Sequence, residues 1–222
     1  MPFKRAIAPA TIPEADTLTS ALAGIGMNFA VRPLRDPNIE DTLLFASVEA
    51  MEKDDLRVLA ILVTWFGVHH PWVNGDRLVK LVGEHHSTRV RALWAALAQW
   101  QSTDRRFARL ARSYRGDRLD LVAAGTEFQI RRYGEDPRFA QAPLRVPENM
   151  LRDRAQDVLT PAELAKRHRA YRFRVMMGPC YRADMWAALD EEPSLSAAAL
   201  ARRTYGSFAT AWHVRRDYKI LR

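Results

Sequence analysis

The chain has 222 residues, a hydrophobic fraction of 48% and a net charge of +8. That is enough apolar material for one large core or two small ones, which excludes a disordered chain, and the charge favours an anionic partner. A single cysteine, Cys180, excludes an internal disulfide and fits a reducing, cytoplasmic compartment.

Met1-Pro-Phe-Lys-Arg is not followed by a clean apolar run, so no secretory signal is expected. The most apolar stretch, 58–68, is about half of the ~20 residues that a membrane crossing needs. Residues 151–222 hold 14 Lys plus Arg against 8 Asp plus Glu, so most of the positive excess lies in the last third. Arginine outnumbers lysine 29 to 5, which suits phosphate forks but follows equally from GC-rich coding.

Residues 1–38 carry Pro2, Pro9, Pro13, Pro33 and Pro37 and read as an extended arm interrupted by a short helix over 14–22. Asn38 can cap a helix over 39–51 with Leu43, Leu44 and Val48 on one side. The next helix, 54–68, is apolar nearly all round and belongs in the middle of a bundle. His69-His70-Pro71-Trp72 ends it, because proline restrains the residue before it. A short helix over 75–84 follows, then one opened by Ser87 or Thr88 with Val90, Leu93, Trp94, Leu97 and Trp100 as its stripe. The segment 104–114 buries Phe107, Leu110 and Tyr114 by the same rule, leaves Arg105, Arg109 and Arg112 outside, and stops at Gly116.

Alternation over 119–122 and 127–131, with Gly125 between, predicts a small β-hairpin. It is either the wing of a winged-helix unit over 54–131 or a β excursion from a plain bundle. The Pro- and Gly-containing stretch 133–149 is the expected linker. Beyond it a helix over 148–158 leads to Thr160-Pro161-Ala162-Glu163, a capping box that opens a helix running to Met177, where Gly178-Pro179 stops it. Leu164, His168, Tyr171 and Val175 share one face of that helix, and Lys166, Arg167, Arg169, Arg172 and Arg174 spread over the remainder.

In the last stretch Ser196 can cap one short helix and Ser207 a second, and Gly206 between them is best able to take a left-handed conformation. Leu200, Ala201, Ala211 and Val214 fall where two steeply crossing helices touch. With a supporting helix over 183–189, the unit resembles the helix-turn-helix and winged-helix DNA-binding domains. One departure is that the usual glycine position of the turn falls on Tyr205, with glycine one place later, which implies a longer or differently shaped turn. The resemblance implies a recognition helix opened by Ser207, with Phe208, Ala209, Trp212, His213 and Arg216 outward. Arg216 could fork to guanine, Phe208 could meet thymine methyls and Ser207 could hold a phosphate. Lys166, Arg169 and Arg172 would track phosphates beside it. Phe208 and Trp212 make that face unusually apolar, so docking on protein, or Trp212 turned inward beneath Met185 or Trp186, stays open.

His69-His70 and His85-His86, with Glu84, lack the spacing of a metal-binding helix face and read better as helix-end histidines bonding free carbonyls. Cys180, beside Arg182, reads as a small packing residue. No phosphate-cradling loop, nucleophile elbow or paired-carboxylate motif occurs, so neither an enzyme nor a cofactor is expected.

The sequence thus predicts a mainly α protein: an arm over 1–38, a helical domain with a small β-hairpin over 39–132, a linker over 133–149, and a basic helix plus three-helix helix-turn-helix domain over 150–222. The expected function is sequence-selective binding of double-stranded DNA, as a bacterial-type transcriptional regulator or antitoxin-like repressor. The N-terminal helical domain would make homodimer or partner contacts, and no membrane is involved. A protein-interaction subunit is the alternative, followed by structured-RNA binding.

Overall fold

Leu59 through Phe66 are eight consecutive buried residues, and a helix apolar on every side is satisfied only when other elements surround it. In this computed structural model, which describes residues 14–122 and 124–221, that helix is α3 (Leu56–His69). The part of the expected arm over 1–13 lies outside the described residues. Around α3 sit α1 (Ala15–Gly24), α2 (Ile39–Glu52), α4 (Gly75–Glu84) and α5 (Thr88–Trp100). Phe66 meets the rings of Trp94 and Phe107 edge-on at 5.5 and 5.4 Å. The two buried indoles each donate one hydrogen bond, Trp65 to the Ile25 carbonyl at 2.7 Å and Trp94 to Ser47 Oγ at 2.9 Å, so neither N–H is stranded. Asn38, Asp55, Asn74 and Ser87 cap α2 to α5 by accepting from first-turn N–H groups.

The chain departs from expectation after α5. The helix expected over 104–114 is a 3-10 turn, Arg105–Phe107, followed by the single turn α6 (Ala108–Ala111); Phe107 and Leu110 are buried and Tyr114 only half so. Among the described residues the expected β-hairpin does not form. Strand β1 (Leu119–Asp120) pairs in parallel with β2 (Leu144–Arg145), and 126–133 is a helix, α7 (Thr126–Tyr133). The five residues of alternation over 127–131 were too few to outweigh an i,i+4 pair, Arg131 Nε to Glu127 Oε1 at 3.0 Å, that favours the helix. With no hairpin there is no wing for a winged-helix unit over 54–131.

The expected linker is core. Phe139, Ala142, Leu144, Val146 and Leu151 are buried against the α2–α5 cluster. The helix expected over 148–158 is extended chain with one 3-10 turn, Ala155–Asp157. Long-range bonds replace helical ones there: Arg154 N–H donates to Thr64 Oγ1, Asn28 N–H to the Asp157 carbonyl and Leu159 N–H to the Gly26 carbonyl.

The expected basic helix begins with the capping box at Thr160 and ends at Gly178, whose φ is +85°. It is two helices, α8 (Pro161–Arg167) and α9 (Arg169–Met177), broken at His168. There the backbone turns extended, Nδ1 caps α9 by accepting from Tyr171 N–H, and Nε2 donates to the Pro37 carbonyl at 2.9 Å. The break rotates α9 so that Arg174 is buried and Val175 is exposed, the reverse of the expected face.

A second core joins α10 (Tyr181–Glu191), α11 (Ala197–Thr204) and α12 (Phe208–Ile220) through Met185, Leu189, Leu200, Ala211, Val214 and Tyr218. The architecture is mainly helical with one small parallel two-stranded sheet. Among the described residues no helix is long and apolar enough to cross a membrane.

Candidate nucleic-acid interface

Ser196 caps α11 by accepting from Ala199 N–H, and Ser207 caps α12 by accepting from Thr210 N–H at 2.8 Å. Ser207 Oγ also meets Thr210 Oγ1 at 2.6 Å, so the hydroxyl offered to a phosphate in the sequence reading is already engaged within the helix start. The left-handed position is held by Tyr205, at φ +57° and ψ +16°, and not by Gly206. Tyr205 thus occupies the turn position where glycine was looked for, and the turn need not be longer. Gly206 answers a different demand, because a Cβ there would fall inside the Met185 methyl group. The turn thus packs closely on α10, and a side chain there would require the flexible end of Met185 to move.

A left-handed tyrosine is strained by about 1 kcal/mol or more, so something must hold it. Its ring lies 3.5 Å from Arg77 Cζ of α4, and its hydroxyl faces the Asp41 carboxyl of α2; burial and that carboxyl raise the phenol above its ordinary range. Arg77 pairs with Asp41 in turn and donates from Nε to Asn38 Oδ1 at 3.3 Å. Burial pushes the Asp41 carboxyl up to about 6 against the pull of Arg77. Beside this group, Arg174 donates to Glu40 of α2 at 2.6 and 2.9 Å, to Asp184 of α10 at 2.7 and 2.9 Å, and to the Trp72 carbonyl at 3.2 Å. Burial alone would raise Glu40, but Arg174, Asn74 N–H and Arg77 hold it below the usual carboxylate range. The turn between α11 and α12 is thereby fastened to the first core through buried charge. Glu40, Asp41, Arg77 and Asp184 did not stand out in the sequence, and Arg174 did so only as an outward residue of the basic helix, whereas it is buried.

On α12 the buried side is Ala211, Val214 and Tyr218, with Trp186 packed on Tyr218 at 5.4 Å. Phe208, Ala209, Trp212, His213 and Arg216 are all exposed, Phe208 by 57% and Trp212 by 50%. Trp212 therefore does not turn inward; it contacts the His213 ring at 5.1 Å, and Arg216 Cζ lies 5.8 Å from its ring. Arg216 pairs with Asp217 at 2.8 Å, and Asp217 also takes Arg182 at 2.9 Å. An exposed pair of this kind contributes about 0–1 kcal/mol, so Arg216 can leave it for a stronger acceptor while Asp217 keeps Arg182.

The arginines expected beside α12 do not form a free stripe. Arg169 is 16% exposed and faces Asp36, Asp190 and Glu191 at 3.3–3.5 Å; Arg172 lies 3.6 Å from Asp190; Lys166 is exposed. Arg174 is the buried clasp already described. His70 bonds the Gly67 carbonyl near the end of α3, as expected for a helix-end histidine, but His69 bonds the distant Leu159 carbonyl and His85 Nδ1 accepts from Ser87 N–H. Among the described residues no three His, Cys, Asp or Glu side chains are grouped to hold a metal, and Cys180 is a half-buried free thiol. No family model, curated protein or solved structure matches the chain, so the functional reading rests on this geometry.

Proposed function

We propose that the protein binds double-stranded DNA, with α12 as the helix that enters the major groove, in the manner of a transcriptional regulator or antitoxin-like repressor. The observation that carries the reading is the outward face of α12, open from Phe208 to Arg216 on the third helix of a three-helix unit whose turn is fastened to the first core. Residues near the start of such a helix meet base edges. Here Phe208 and Ala209 offer apolar contact to thymine methyls, and His213 and Arg216 offer hydrogen bonds to purines. Neither α11 nor α12 carries an acidic residue before Asp217, so little opposes an approaching phosphate backbone.

Fluorescence anisotropy with duplex DNA over a salt series tests this. Arg216→Ala combined with His213→Ala should weaken binding to a preferred duplex by about tenfold or more, since one good base contact contributes roughly 1–3 kcal/mol. Unchanged affinity would remove α12 from the interface. A second reading, docking on a protein, is favoured by the half-exposed aromatic rings of Phe208 and Trp212; in that case Trp212→Ala would abolish partner association while duplex binding stayed absent or nonspecific.

A further inference from the structure

Arg169, Arg172, Arg182, Arg203 and Arg216 all face carboxylates, whereas several exposed arginines elsewhere do not, and four of these fall in one short segment. Arg105, Arg109, Arg112 and Arg115 are all exposed, and none has an ion-pair partner among the described residues. The first three follow at four- and three-residue intervals along a segment that buries Phe107 and Leu110, so all three lie on its solvent side. Like charges at that spacing repel, so the arrangement lowers stability unless an anion covers it.

The segment beneath them is built to be rigid. Phe107 and Leu110 are fully buried. Arg106, itself partly exposed, is the one arginine of the group with an ion-pair partner: it pairs with Asp104 at 2.5 Å and donates to the Val73 and His70 carbonyls at 3.2 Å. This clamps the segment against the start of α4, where a Cβ on Gly75 would lie 3.2 Å from Arg106 Cβ. Two residues further along α4, Arg77 carries the ring of Tyr205 from the helix-turn-helix turn. At about 100° per residue, Gly75 and Arg77 point to opposite sides of α4. The arginine segment and the α11–α12 turn thus flank one helix, roughly 20 Å apart by two helix-packing distances. One turn of duplex, roughly 34 Å, spans that separation.

We propose that Arg105, Arg109, Arg112 and Arg115 form a second contact surface for the phosphate backbone of the duplex whose groove α12 enters; this rests on the DNA-binding reading. The surface supplies affinity without sequence choice, because phosphates are the same at every step. It takes the part that Arg169 and Arg172 were expected to play, and for which their carboxylate neighbours leave them poorly suited.

The test is the quadruple variant Arg105→Gln, Arg109→Gln, Arg112→Gln, Arg115→Gln, titrated against a duplex chosen by the wild-type protein and against a shuffled duplex of equal length. Thermal melting checks that the fold is intact, which the exposure of all four side chains leads us to expect. Affinity for both duplexes should fall by about tenfold or more, the slope of log K against log salt should become shallower by roughly 3, and the ratio between the two duplexes should stay constant. Wild-type affinity and slope in the variant would overturn the proposal, as would a loss confined to the chosen duplex or to a structured RNA. If the wild-type protein binds no duplex, the α12 reading fails and this one with it. If it binds and the variant matches it, this proposal alone fails.

Discussion

His69 is fully buried, and its two ring nitrogens meet different partners: Nε2 the Leu159 carbonyl at 3.0 Å and Nδ1 the Tyr171 hydroxyl at 2.7 Å. A carbonyl only accepts, so the hydrogen sits on Nε2 and Nδ1 accepts from Tyr171. Burial lowers the imidazole from its ordinary 6.5 to about 4, against the Leu159 bond. The unfolded chain takes the proton first, so this contribution to stability is full above pH 6.5 and is lost as pH falls through 4. Asp41 runs the opposite way: pushed up to about 6 from 3.8, its contribution is full below 3.8 and lost as pH rises through 6. The total pH profile mixes the two, but the difference between wild type and His69→Gln isolates the first. In urea unfolding, that difference should shrink by about 3 kcal/mol between pH 7 and pH 4; a difference independent of pH would show that His69 is not held neutral by the fold. Neither partner was readable from the place of His69 at a helix end, because Leu159 and Tyr171 lie 90 and 102 residues away.

Between elements, the decisive contact is one side chain. Arg174 of α9 ties α2 to α10, with every guanidinium nitrogen hydrogen-bonded and both carboxylates out of water. Removing one partner of such a set leaves uncompensated buried charge, so Arg174→Met should cost about 3–5 kcal/mol in denaturant unfolding. Arg172→Met, two residues away and half exposed, should cost less than about 0.5 kcal/mol. A loss under about 1 kcal/mol for Arg174→Met would mean the clasp is not what fastens the elements. The sequence could not mark this arginine, because its face depends on the break at His168. Periodicity carried through that break puts Val175 inside. Local chemistry read well where it acts alone, as in the caps at Asn38, Ser87, Thr160, Ser196 and Ser207 and the full extent of α4. It failed over 119–131, where the partner of β1 lies beyond α7 and a short alternation could be either strand or helix.

For the whole molecule, the second core of α10–α12 was legible because its apolar positions are close in sequence and at helical spacing. The stretch 133–149 was misread as a linker because its burial depends on α5 and β1, elements that no window of that stretch contains. Tyr205 marks the meeting of the two levels. It looked like a flaw in the turn, and its ring is what seats the turn on the first core. In this account the first core holds α12 rigid and presents its open face to duplex DNA. The most direct test is a binding selection from random-sequence duplexes, run with the wild-type protein and with the Arg216→Ala, His213→Ala variant. The expected result is a defined short site for wild type, enriched in positions that the variant no longer selects. Recovery of no duplex by wild type, or of the same site by the variant, would contradict the assignment of α12.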